Sequence, residues 1–138
     1  MERSEGTGLP YAGVSVKHLV TGSAGLVVGW DDTAEALCTG DVPALATPRV
    51  VTLCEEAAVH ALHDSLTPGQ TSVSSRVELA HLAAVGVGSE VRAVATLERT
   101  EGRRRVFSVS VSDGCGLVAV GKVTRVVVDR DHFFQKVR

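Results

Sequence analysis

The chain has 138 residues, of which 44% are hydrophobic and 22% charged, with a formal net charge of −2 at pH 7. That length holds one hydrophobic core, the composition is that of a globular chain, and the interspersed charge leaves no basic field to neutralise nucleic-acid phosphates. No apolar run is long enough to span a membrane, and the polar start Met1-Glu2-Arg3-Ser4-Glu5-Gly6 is unlike a signal peptide, so a cytoplasmic location is expected.

Residues 1–12 read as a flexible N-terminus and residues 13–138 as a single domain. Val14–Val20 alternates as a strand should, and Gly25–Trp30 extends or follows it. Asp31–Pro43 is the least regular stretch, with a short helical turn expected at Ala34–Leu37. A helix is predicted from Pro48 to about Ser65. Thr47 is its N-cap, Pro48 its first helical residue, and Thr67-Pro68-Gly69 its stop. At 100° per residue, Val50, Val51, Cys54, Ala57, Ala58, Ala61 and Leu62 form one apolar arc, with Arg49, Glu56, His60 and His63 opposite.

Four β runs follow: Ser72–Ala83, Glu90–Arg99, Arg104–Ser112 and Leu117–Val128. Glu101-Gly102 and Asp113-Gly114-Cys115-Gly116 are short enough to join the last three as antiparallel hairpins. The pattern therefore predicts an α+β domain, an antiparallel sheet over one long helix. Aromatic residues make up 4% of the chain, so Val, Ala and Leu must build the core. Cys38, Cys54 and Cys115 lack metal-binding or disulfide spacing and are expected to be reduced and buried.

Three residues stand where simple patterning would place something else. Glu55 lies at the shoulder of the apolar arc, where a carboxylate costs desolvation unless it has partners. His81 shares a strand face with Val73, Val77, Leu79 and Ala83, so it points toward the core and could meet Glu55 across a cleft. Thr47 begins the helix, whose N-terminus offers free N–H groups and a partial positive charge. Because Pro48 has no N–H, the Arg49 and Val50 amides are candidate donors to a substrate oxyanion. Taken singly, each residue also fits a structural role, Thr47 as a cap and His81 as a core or interface histidine.

Ala46-Thr47-Pro48, followed by Glu55-Glu56-Ala57-Ala58 and then His81-Leu82-Ala83, resembles the hotdog-fold thioesterases of the fluoroacetyl-CoA thioesterase type. The resemblance continues through Glu101-Gly102-Arg103-Arg104, Phe107–Asp113, Gly121-Lys122-Val123-Thr124-Arg125 and Phe134-Gln135-Lys136. It implies a hotdog fold, a curved antiparallel sheet wrapped around a central helix. It further implies hydrolysis of an acyl-CoA thioester with Thr47, Glu55 and His81 as the catalytic set. It also implies a homodimer whose sheets join edge to edge, with the sites at the interface. Neither metal nor organic cofactor is then required, because coenzyme A arrives as part of the substrate and its thiolate leaves readily. Arg125, Lys122 or the Arg103–Arg105 run could meet the CoA phosphates, although the triple Arg reads more readily as a solvated turn with charged edge protection. The alternatives are a non-catalytic acyl-CoA binding module on the same fold, or another hotdog activity such as enoyl-thioester hydration. The chain departs from the family pattern in having Ser74 where relatives carry glycine and no aromatic residue from Leu37 to Leu45.

Overall fold

A computed structural model describes residues 19–138. The expected flexible segment 1–12 and most of the strand expected at Val14–Val20 lie outside the described residues. The first described strand is β1, Thr21–Val27, so the chain is extended earlier than the Gly25–Trp30 run suggested. A 3₁₀ turn at Trp30–Asp32 follows. The main helix α1 spans Thr47–Leu62 and continues as a 3₁₀ turn, His63–Ser65, so the predicted end is met by a tightened last turn. The four later strands are β2 Gln70–His81, β3 Glu90–Glu101, β4 Arg104–Asp113 and β5 Gly116–Asp129. A short C-terminal helix α2, Arg130–Phe134, was not anticipated from the sequence.

The five strands form one antiparallel sheet in the order β1-β3-β4-β5-β2. It curls around α1 in the hotdog arrangement. The two hairpins sit where predicted, while β1 and β2 reach their neighbours across α1 and end up at opposite edges.

Small side chains let the helix lie close to the sheet. Ala57, Ala58 and Ala61 on α1 are buried against Ala24, Ala93 and Ala95, and a Cβ added to Gly22 would run into the Ala57 and Ala61 backbone. Among the described residues Phe107 is the largest fully buried side chain, one aromatic ring in a core otherwise built from Val, Leu, Ala and Cys54. The helix face matches the predicted arc with one correction. Leu53 is fully buried, while Val51 is half-buried. The thiols also need correction. Cys54 is buried, but Cys38 and Cys115 lie exposed in loops, where no core reaches them. Among the described residues no helix is long and apolar enough to cross a membrane.

Candidate active site

Thr47 is the first residue of α1, and Ala46 is the N-cap, with no side-chain capping bond. The expected cap role for Thr47 is therefore wrong, and its hydroxyl is free for another partner. That partner is His81, the last residue of β2, whose Nδ1 lies 2.7 Å from Thr47 Oγ1. If the hydroxyl donates to Nδ1, the imidazole carries its proton on Nε2. His81 Nε2 is buried and has no hydrogen-bond partner among the described residues. A buried imidazole nitrogen without a partner is costly, and an incoming polar group would relieve it.

The backbone at the helix start differs from expectation. The Arg49 and Val50 N–H groups both donate to Ala46 O, at 3.0 and 3.1 Å, so neither is free for a substrate oxygen. Val50 is also fully buried. The amide without an acceptor among the described residues is that of Thr47 itself, beside its hydroxyl. Arg49 turns away: its Nε donates to Asp32 Oδ1 at 3.0 Å, and Asp32 Oδ2 in turn accepts the Gly29 N–H. With the Ala46 N–H donating to Asp32 O, these contacts lash the helix start to the 3₁₀ turn. Arg49 thus braces the site from behind, and sequence spacing held no signal for its pairing with Asp32.

Glu55 lies eight residues along the same helix, about 12 Å in axial rise. It does not bond to His81. Arg125 Nη1 donates to Glu55 Oε1 at 2.7 Å, while Arg125 Nε donates to Ser72 Oγ and Nη2 to Ser72 O, each at 2.9 Å. The expected phosphate contact for Arg125 is corrected by this geometry. Arg125 is buried on the helix-facing side of β5, and Glu55 and Ser72 occupy its donors. Those bonds give the carboxylate at the shoulder of the apolar arc its counter-charge. Ser72 is a site residue that the sequence did not single out, because its part depends on the β2–β5 register.

Burial pushes the neighbouring Cys54 thiol up to about 11, with the Glu55 charge adding to the effect, so it stays protonated and unreactive. Among the described residues no three His, Cys, Asp or Glu side chains converge as metal ligands would.

Thr47 and His81 open onto a cleft of about 380 Å³ between the loop of residues 33–45 and the chain leaving β2. Val42, Leu45, Leu82, Ala83 and Ala84 form much of its wall. A helix N-terminus with a hydroxyl, a free amide and an imidazole at the polar end of an apolar cleft suits polarisation of a carbonyl.

The family of fluoroacetyl-CoA-specific thioesterases, FlK, matches residues 28–131. The fluoroacetyl-CoA thioesterase of Streptantibioticus cattleyicolor is 37% identical over 93 residues, 67% of each chain. A crystal structure of a phenylalanine-to-alanine mutant of FlK superposes with a TM-score of 0.79 at 31% identity, covering 86% of this chain and 92% of that one. A thioesterase superfamily member from Thermus thermophilus superposes with a TM-score of 0.77 at 31% identity, covering 83% of this chain and 85% of that one. Sequence and fold agree across the segment that carries the cleft, and the chain belongs to the fluoroacetyl-CoA-specific thioesterase family.

Proposed function

We propose that this thioester hydrolase cleaves acyl-CoA to the free acid and coenzyme A using Thr47, His81 and Glu55. The observation that carries the reading is the 2.7 Å Thr47–His81 pair at the mouth of an apolar cleft in a member of this family. The thioester carbonyl lies at the start of α1, where the Thr47 N–H and the helix dipole stabilise the developing oxyanion. His81 holds the Thr47 hydroxyl through Nδ1 and presents Nε2 to the substrate. Glu55 acts as general base for the attacking water. Arg125 holds one carboxylate oxygen of Glu55 and leaves the other for that water. Water oxygen bonds to the carbonyl carbon, the C–S bond breaks, and coenzyme A leaves as thiolate and takes up a proton. CoA as part of the substrate is the one organic group required, and no metal takes part.

The protein works as a homodimer in the cytoplasm. β2 is an edge strand of 12 residues with one described neighbour, and such an edge is a template for pairing. The free thiols of Cys38 and Cys115 suit a reducing compartment.

The test is thiol release from acyl-CoAs, from acetyl and fluoroacetyl to long-chain and aryl thioesters, with wild type beside Glu55→Ala and with light scattering for the dimer. Turnover lost in the variant supports the assignment. A folded wild type that releases no thiol from any substrate overturns it.

A further inference from the structure

The cleft at Thr47 and His81 has a chemical character of its own. Apart from those two residues, its one polar side chain among the described residues is Thr39, and no described Lys, Arg, Asp or Glu lines it. The pantetheine arm carries two amides and CoA carries phosphates, and neither finds side-chain partners there. Seated on Thr47, a thioester would therefore direct its acyl group into the cleft and its CoA arm out to solvent. About 380 Å³ is many times the roughly 10–15 Å³ that one water-sized group needs. That far exceeds the acetyl skeleton. Val42 and Leu82 line the cleft at 51% and 56% exposure, two aliphatic side chains whose surface an acyl chain would cover.

We infer that the preferred substrates are uncharged short- to medium-chain aliphatic acyl-CoAs, with Val42 and Leu82 setting the chain length. The inference rests on the thioesterase reading for turnover but not for binding. Covering apolar surface favours each added methylene by about fourfold until the wall is filled. A terminal carboxylate, as in succinyl-CoA, meets no cation among the described lining residues and is rejected.

The experiment measures kcat/KM for acetyl-, butyryl-, hexanoyl-, octanoyl- and succinyl-CoA. Beside it, calorimetry gives the affinities of the matching 2-oxoalkyl-CoA thioethers, which cannot be hydrolysed. Both series are run for wild type, Val42→Phe and Leu82→Phe, with thermal melts and light scattering showing that each variant keeps the wild-type fold and oligomeric state. The expected result is a rise of about fourfold per methylene from acetyl to hexanoyl, with succinyl below butyryl and the rise ending sooner in the Phe variants. Affinity that is flat with chain length, or succinyl equal to butyryl, overturns the inference even if hydrolysis is fast. Affinity that climbs while no thioester is hydrolysed supports the inference and overturns the thioesterase reading instead.

Discussion

Thr47 Oγ1 and His81 Nδ1, 34 residues apart in the chain, lie 2.7 Å apart where the start of α1 meets the end of edge strand β2. Because Ala46 caps the helix, the Thr47 hydroxyl is spent on His81 rather than on the backbone. Thr47→Ala and His81→Ala should each lower kcat by about 10²–10⁴-fold, with Thr47→Ser retaining much of the activity. Circular dichroism and thermal melts should show both Ala variants folded. Collapse of the fold in either would assign the pair a structural role.

Two adjacent carboxylates on α1 should behave oppositely. Glu55 faces Arg125, whereas Glu56 is half exposed and its nearest cation, Arg49, is 3.8 Å away. Glu55→Gln should reduce turnover by about 10²–10⁴-fold. Glu56→Gln should match wild type in a thiol-release assay, and a dead Glu56 variant would contradict the catalytic assignment of Glu55.

Arg125 should matter for folding as well as turnover. Its side chain is 10% exposed and that of Glu55 26%, so removing the guanidinium leaves a carboxylate largely out of water without a partner. Losing one member of a buried pair costs about 3–5 kcal/mol, and the partial exposure of Glu55 brings the expected cost of Arg125→Met to about 2–3 kcal/mol. Adding Glu55→Gln should restore part of it. Urea titration of the four proteins in a double-mutant cycle measures the coupling, and strict additivity would show that the contact carries little energy.

Gly22 tests how tightly β1 lies under the helix. A methyl group there meets the Ala57 carbonyl and the Ala61 amide, which are backbone and cannot rotate away. Gly22→Ala should destabilise by at least about 2 kcal/mol, at the upper part of the usual cost of overpacking. An unchanged denaturation midpoint would mean that the helix can shift outward.

Cys54 makes stability depend on alkaline pH. The folded thiol titrates near 11 against 9.0 for a free one, so its contribution is fully present below pH 9. Between pH 9 and 11 the unfolded thiol ionises while the folded one stays neutral, and stability falls by about 2–3 kcal/mol before levelling off. Cys54→Ala should flatten this decline in denaturant melts taken from pH 8 to 11. In native protein a thiol reagent should label Cys38 and Cys115 and reach Cys54 only after unfolding. Rapid labelling of all three would contradict the burial.

Local rules carried most of the elements. Proline and glycine punctuation bounded α1 and the β3–β4 and β4–β5 hairpins, and period-two alternation marked β2 to β5, because turn chemistry and side-chain periodicity act over a few residues. The residue types at the candidate site, Thr47, Glu55 and His81, were visible in the same way, since each breaks its local pattern. Their partners were not. Arg125 meets Glu55, and Ser72 meets Arg125, because β5 lies between β4 and β2 with a particular register and the sheet curls over the helix. Likewise Arg49 turned from a substrate contact into a brace once the 3₁₀ turn brought Asp32 against the helix start. By itself the sequence determined that α1 is a helix and that β2 to β5 are strands, and most of the side chains on the inner face of α1, through preferences that repeat every two or 3.6 residues. The tertiary structure alone decided which of those side chains pair. Pairing depends on strand order, register and curvature, and these follow from burying the whole apolar surface at once.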